Sequence, residues 1–378
     1  MIVLTEKEVW KILKPSFRKL IDINKKALAS LHDENIAFVP PRISIPSINT
    51  SVGDCTLFKP ALYAQQQQQQ QEEEQGMHSA LGVKVVSVRD GNSRMGKPIV
   101  PATIMMLDNV TGETKAVIAA TYLTAARTAA GSAVATEVLC LQRLAEGIDV
   151  CNDNYPALEL VCFGAGLQAQ MHILALSKCR WSSDSDETLD FKKITIVNRS
   201  KERAEKLRDQ IKNDIKTFRK GRLRDISVVL SSDKPNVENT LRSADIIVTA
   251  TNSFNPLFSG DWLKEGAHII GVGSYTNSMQ EVDVQSLRRS FVAYDTHGAL
   301  DVGDLKNLAN AQAKGTRACL LAELLNDNTS FTEEINNSSS SLDATFFKSV
   351  GTAIQDVATA DFVIDEATES GLGVFIDM

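Results

Sequence analysis

The stretch LELVCFGAGLQAQMHILAL sets Gly164, Gly166 and Ala169 in G-x-G-x-x-A spacing. It follows a run of apolar and β-branched residues and opens a helical one. A first glycine permits a tight turn, and a second lets a pyrophosphate approach the backbone. A small third residue allows close helix packing. The helix N-terminus then attracts the phosphate charge. The same spacing arises by chance in plain strand–turn–helix units, but the correct periodicity on both sides favours a dinucleotide site.

The next strand-like run, KITIVNRS, ends at Asn198, Arg199 and Ser200. A site for NAD usually carries Asp or Glu there, to accept from the ribose 2′-hydroxyl. This chain has neither. Arg199 with Ser200 beside it suits a 2′-phosphate through charge-assisted hydrogen bonds, which predicts NADP(H) in preference to NAD(H). The rival reading makes Arg199 the start of a basic, solvated helix.

A third candidate lies in TYLTAARTAAGSAVATEVL. The pattern predicts a helix beginning near Thr124, a good N-cap type. Arg127 then falls in the first turn, where the helix dipole disfavours a cation. That placement makes sense if Arg127 and the helix end both face an anion, such as a substrate carboxylate. Otherwise Arg127 is a surface residue bending into water, and both readings stand. Lys84 lies mid-strand among apolar neighbours, and Arg42 follows Pro40-Pro41. Each of these, taken singly, reads as a solvated or snorkelling base.

The elements that must position these residues fall into a pattern. Apolar runs at Leu158–Phe163, Ile194–Asn198, Ile226–Leu230, Asp245–Thr251, His268–Gly273 and Phe291–Asp295 alternate with helical stretches such as Lys201–Lys220. Strands alternating with helices predict an α/β fold with a doubly wound parallel sheet of the Rossmann type. The flanks differ. An amphipathic helix (Lys7–Ala29) and strand-like runs (Val83–Val88, Ile104–Asp108) precede this segment, and a mostly helical stretch (Leu300–Ile364) follows it. Neither flank looks complete alone. They predict one discontinuous α+β domain, residues 1–145 and 300–378, with residues 146–299 inserted in it.

Composition sets the outer bounds. A chain of 378 residues suits two or three domains, and 43% hydrophobic with 23% charged residues is ordinary for a soluble globular protein. Forty basic against 47 acidic side chains give a net charge of −7, which argues against a nucleic-acid partner. The cysteines Cys55, Cys140, Cys151, Cys162, Cys179 and Cys319 are dispersed, and the five histidines are scattered. Reduced thiols and no metal site are expected. Glu6, Lys7 and Glu8 interrupt the region where a secretory apolar segment would lie. Val117–Leu141 carries Arg127 and Glu137 and reads as a buried helix, not a membrane span. A soluble, cytoplasmic protein follows. The tracts Gln65–Gln75 and Asn326–Ser341 read as solvated insertions.

Taken together, ALGVKVVSV, YLTAARTAAGSA, VCFGAGLQAQ, ADIIVTATNS, WLKEGAHIIGVGS with QEVD, and FKSVGTAIQDVATADFVIDEA resemble the ornithine cyclodeaminase/mu-crystallin family over nearly the whole length. The order and spacing of these stretches are far more specific than any one of them. The resemblance implies that the discontinuous domain binds substrate and pairs two copies into a homodimer. It implies that Arg42, Lys84 and Arg127 hold a substrate carboxylate. Gly164, Gly166, Leu167 and Gln168 would cradle the pyrophosphate, with Asn198, Arg199 and Ser200 at the adenosine ribose. Thr251 and Ser349 would lie beside the cofactor, and Val350 near nicotinamide and substrate.

The chain also departs from the family pattern. Cyclodeaminases carry an Asp after the GVG-like strand and a Lys four residues on, where this chain has Tyr275 and Met279. They carry a Glu where Leu57 stands, and a Met where Lys59 stands. Ile99 replaces a Thr expected in a strand reaching the cofactor. Cyclodeamination needs a carboxylate to move protons, and a tyrosine, with a reference pKa of about 10, is a poor base. Tyr275 is left either to donate a hydrogen bond to an imine nitrogen or to line the pocket. The mu-crystallin branch likewise lacks this Asp and this Glu, shares the Asn-Arg pair, and is known for NADPH-dependent ketimine reduction.

The favoured expectation is therefore an NADP(H)-dependent reductase acting on the C=N bond of a small imino acid, with Lys84, Arg127 and Tyr275 at the reacting centre. An ornithine cyclodeaminase and a non-catalytic, crystallin-like binder of NADP(H) and a small ligand are the alternatives. Lys59, Ile99 and the Gln tract favour the last.

Overall fold

The computed structural model describes residues 1–48, 53–66, 77–141, 144, 155–182, 187–218, 225–309, 316–326 and 343–377. The Gln65–Gln75 tract beyond Gln66 and the Asn326–Ser341 tract beyond Asn326 lie outside the described residues. The chain forms two compact units. The first is Met1–Arg127 with Gly351–Met378, and the second is Thr128–Val350.

The first unit is built on a mixed sheet. Its strands are β1 (Ile2–Leu4), β2 (Ala37–Phe38), β3 (Ile43–Pro46), β4 (Cys55–Gln66), β5 (Met77–Val88), β6 (Ala102–Leu107) and β7 (Thr114–Ala119), with a last short strand at Val374–Phe375. The order runs from Val374–Phe375 through β1, β7, β6, β5 and β4 to β2, with β3 also paired to β4. The centre is the antiparallel β4–β5 pair, in register from Cys55↔Val88 to Gln66↔Met77. Burial alternates strictly along β5, where Ala80, Gly82, Lys84, Val86 and Val88 face inward. Period-two alternation puts one face of a sheet on a core, so Lys84 belongs to the apolar side. The C-terminal helix, Ala353–Glu369, packs on β4, β5 and β6 and on the helices Glu6–Leu13 and Phe17–Ala29. The expected single helix Lys7–Ala29 is two helices, because Pro15 in the turn Lys14–Ser16 removes a backbone donor.

The second unit holds eight described strands, all parallel. They are β8 (Leu158–Phe163), β9 (Phe191–Asn198), β10 (Ile226–Leu230), β11 (Ile246–Thr249), β12 (His268–Gly271), β13 (Ser290–Tyr294), β14 (Ala318–Leu320) and β15 (Ala344–Lys348). Their order is β10-β9-β8-β11-β12-β15-β13-β14. Strand order reverses beside β8, which is where doubly wound sheets place their ligands. This is the α/β, Rossmann-type sheet that the alternating pattern predicts.

The expected boundaries differ from the units. Residues 300–350 belong to the second unit, since β14 and β15 complete its parallel sheet. The stretch Leu300–Ile364, expected to be mostly helical, also carries these two strands. β15 (ATFFK) is buried at every residue, and such a run cannot be told from a buried helical segment by periodicity alone. Residues 128–141 also cluster with the second unit.

Candidate active site

In the first unit, β4 and β5 bring two lysines side by side. Lys59 and Lys84 are direct cross-strand partners, both on the buried face. Asp356, from the first turn of the C-terminal helix, lies against them and is fully buried. Its Oδ1 accepts from Lys84 Nζ at 2.7 Å and from Arg127 Nε at 2.7 Å. Lys59 Nζ stands 4.0 Å from Oδ2 and donates to the carbonyl of Gly351 at 2.8 Å. Three cations thus surround one carboxylate.

Arg127 is fixed from several sides. Its Nη1 reaches Gln355 Oε1 at 3.4 Å, and Gln355 Nε2 in turn donates to Arg127 O and to Asn24 Oδ1. Asn24 donates to Leu20 O and to Thr359 Oγ1. Gly351 lies against the guanidinium. It has φ +76°, and a Cβ there would overlap Nη1, Nη2 and Cζ of Arg127. Only glycine meets both demands cheaply.

The charges act on one another. Burial would raise the Asp356 pKa, but Arg127, Lys84 and Lys59 hold it down at about 2. Lys84 is pushed well below the usual lysine value by burial, then by Arg127, against the pull of Asp356; Lys59 pushes the same way as Arg127. An arriving anion would reverse that push.

The placement of Arg127 corrects the sequence expectation. Its helix, Thr121–Thr136, begins three residues before Thr124. Glu6 caps it from outside, accepting from the amides of Thr121 and Tyr122 at 2.7 and 3.1 Å. Arg127 is therefore past the first turn, and the dipole argument does not apply to it. A cap supplied from 115 residues away leaves no local signal. Arg42 is exposed, immediately before β3, whose Ile43 pairs with Phe58 beside Lys59. Ile99 precedes β6 in a bend and its carbonyl accepts from Arg89 N, so it is not in a strand as expected. Leu57 is half-buried on β4.

In the second unit, the turn after β8 has the shape that its glycines predict. Gly164 has φ +110°, and a Cβ there would strike Ala250 O. Gly166 is the N-cap of helix Leu167–Leu176, makes no side-chain cap, and would leave a Cβ in open space. The helix N-terminus is thus available to a phosphate, and buried Gln168 Oε1 has no hydrogen-bond partner among the described residues. Ala169 is fully buried, as close packing requires. These residues fit a dinucleotide. At the end of β9, Asn198 Nδ2 donates to Ser200 O, the Ser200 hydroxyl accepts from Arg203 N, and Arg199 is exposed.

A second buried network holds the carboxyl ends of β11, β12 and β15. Glu281 accepts from Thr249 Oγ1, Thr251 N, Thr251 Oγ1 and Gly273 N at 2.6–2.9 Å. Asp304 accepts from the amides of Glu281 and Val282 and from Lys348 and Ser274. Asp295 takes the Ser349 hydroxyl and the Val350 amide. Tyr275 is half-buried in the loop after β12, and Met279 is buried.

The profile of the ornithine cyclodeaminase/mu-crystallin family matches residues 72–371. The chain belongs to that family. Along its full length it is 30% identical to an uncharacterized cyclodeaminase of Dictyostelium discoideum, covering all of both chains. It is 29% identical to the ketimine reductase mu-crystallin of Mus musculus over 289 residues, 76% of each chain. Its fold matches Thermococcus litoralis Delta(1)-pyrroline-2-carboxylate reductase in complex with NADH and L-proline, with a TM-score of 0.76, 25% identity and full coverage of both chains. Members of the family are NAD(P)-dependent oxidoreductases.

Several residues of these networks carried no role in the sequence reading. Asp356, Glu281, Asp304 and Lys348 were each available as a charge inside an apolar or turn-rich run. Asp356 had the clearest signal, as an acid in the helix AIQDVATADFVIDEA behind a T-x-x-Q capping box at Thr352 and Gln355. Lys59, read from sequence as a sign of relaxed constraint, is instead part of the buried cation cluster. Among the described residues no cluster of His, Cys, Asp or Glu could hold a metal, and no helix is long and apolar enough to cross a membrane.

Proposed function

We propose that this protein reduces the C=N bond of a small cyclic imino acid, with NADP(H) preferred over NAD(H). The observation that carries the reading is the convergence of Lys84 and Arg127, both buried, on one carboxylate, with Lys59 beside them. Burying more cations than anions is costly, and a ligand carboxylate offsets that cost. Arg42, Lys84 and Arg127 would hold it, and Val350 and Tyr275 are the further residues expected near the ligand. Reduced nicotinamide, when bound, supplies the hydride.

The chain's own work is positioning and electrostatics. Gly164, Gly166, Leu167 and Gln168 would hold the pyrophosphate, and Asn198, Arg199 and Ser200 the adenosine ribose. Arg199 stands exposed where an acidic residue would mark NAD, which supports a 2′-phosphate. Thr251 and Ser349, fixed by Glu281 and Asp295, would face the nicotinamide. A cyclic imine that enters protonated needs no acid from the protein. The losses at Leu57 and Tyr275 therefore weigh against cyclodeamination but not against reduction.

A homodimer is supported by Phe38, Ile43 and Ile45, which are exposed together on β2 and β3. Such a patch commonly marks an interface. A cytoplasmic setting is the expectation that follows from the dispersed cysteines of the sequence. The test is direct. Purified protein with NADPH and piperideine-2-carboxylate should lose absorbance at the reduced-nicotinamide band. With ornithine and NAD it should release no ammonia. Ammonia release, or cofactor binding without any turnover, would overturn the reading.

A further inference from the structure

Asp356 Oδ2 is buried and accepts no hydrogen bond among the described residues. Its twin Oδ1 takes two charged donors, Lys84 Nζ and Arg127 Nε. Lys59 Nζ, at 4.0 Å, is beyond hydrogen-bond reach of Oδ2. A buried acceptor of full charge left without a donor is costly. Gln355 and Asn24 are spoken for by Arg127 and Thr359, so neither supplies one.

The position of the missing donor follows from the ligand. If a ligand carboxylate sits on Lys84 and Arg127, it shares both cations with Asp356. The α-nitrogen of the same ligand is then one carbon away from that carboxylate. A protonated imine or amine carries an N–H and a positive charge, which complement a carboxylate held ionised. We propose that Asp356 Oδ2 accepts a hydrogen bond from the protonated α-nitrogen of the ligand. The site then recognises a zwitterionic α-imino or α-amino acid, not a carboxylate alone. The inference rests on the reading of Lys84 and Arg127 as the carboxylate clamp. The same contact favours the protonated imine, the form that accepts hydride at carbon without a further acid.

Calorimetry on the full-length protein with NADPH present, a dead-end mixture with the saturated amino acids, tests this without turnover. L-proline and L-pipecolate are compared with tetrahydrofuran- and tetrahydropyran-2-carboxylate, which keep ring and carboxylate but replace the nitrogen by oxygen. The wild-type protein should bind the amino acids about tenfold tighter or more, as for a hydrogen bond to a charged group. Asp356→Asn should reduce that preference to within about threefold while binding the oxygen analogues no more weakly. Equal binding of both classes by the wild type overturns the inference, and needs no variant to fold. Binding of neither class also overturns it, whatever the ketimine assay gives. A parallel loss of both classes in Asp356→Asn would show a purely structural role. A nitrogen preference without ketimine reduction leaves this inference standing and overturns the reductase reading instead.

Discussion

Lys59 and Lys84 face each other across adjacent strands on the buried side of their sheet, with the single carboxylate of Asp356 against them. Like charges directly opposite are destabilising in a sheet, and here they lie under a helix. A bound anion would offset the cost of that pairing. Replacing Lys84 by Met should therefore stabilise the free protein while removing ketimine turnover. Lys84 has a depressed pKa, so its cost is full below that pKa and fades as pH rises toward the ordinary lysine value. The gain should be largest below the Lys84 pKa and shrink as pH rises above it, on the order of 1 kcal/mol, or about 2–4 °C in Tm. A fall in Tm would show that Lys84 is a net stabiliser and that the cluster is balanced without ligand.

The same electrostatics give ligand binding a pH dependence. A carboxylate binds the ammonium form of Lys84, and its arrival raises the Lys84 pKa. Affinity for a carboxylate ligand should hold while Lys84 stays protonated and fall as pH rises through its pKa, well below 10.5. On the alkaline side binding should take up protons, seen in calorimetry as a heat that changes with the buffer's ionisation enthalpy. Lys84→Met should lose that uptake. A flat profile in the wild type would mean that Lys84 is not at the anion.

Much of the second unit is legible from sequence and the first much less so. Parallel strands buried on both faces announce themselves as apolar runs, and Gly164 and Gly166 combine a glycine signal with correct periodicity. β15 was missed because ATFFK ends in a fully buried lysine, whose partners Ser274 and Asp304 come from distant loops. In the first unit, Lys84 and Arg127 were visible as charges among apolar residues, but Asp356 joins them across more than 220 residues of chain. Local patterns do not report pairs of that separation. Glu6 as the cap of helix Thr121–Thr136 is the same kind of omission.

Cofactor choice is expected to depend on Arg199. The guanidinium is exposed at the end of β9, free of the strand's own packing. Arg199→Ala should weaken NADPH roughly tenfold or more, the scale of one charge-assisted contact to phosphate, and leave NADH nearly unchanged. Fluorescence titration of both nucleotides measures this. Equal weakening of the two would remove the 2′-phosphate assignment.

Gly351 offers a probe that removes no charged group. A methyl at this residue meets the Arg127 guanidinium and forces an L side chain to φ +76°. Such strain costs roughly 1–3 kcal/mol. Gly351→Ala should lower Tm and cut kcat/KM about 10²-fold through a displaced Arg127. The NADPH affinity, which depends on the other unit, should stay within about twofold. Wild-type turnover in this variant would mean that the position of Arg127 is not critical.

Glu281 closes four hydrogen bonds around Thr251, and that makes it a sharper test of the loop beside the expected nicotinamide site. Each carboxylate oxygen receives two donors: Thr251 N and Oγ1 on one, Thr249 Oγ1 and Gly273 N on the other. Glu281→Gln keeps the size but turns one oxygen into an amide donor, which must face a backbone N–H, of Thr251 or of Gly273, whichever way it rotates. Stability should fall by about 2–3 kcal/mol, since buried donors lose their acceptor. Thr251 would no longer be held, so NADPH affinity should fall together with kcat. Glu281→Asp keeps the charge but is one methylene short, and should recover part of the cofactor affinity. Burial and the Asp304 charge also raise the Glu281 pKa, against Lys348 and the Thr251 hydrogen bonds. A raised carboxyl pKa gives stability that is full below the unfolded value and is lost as pH rises through the folded value. That decline should be absent in Glu281→Gln. If the variant loses stability but binds NADPH like the wild type, Thr251 does not serve the cofactor.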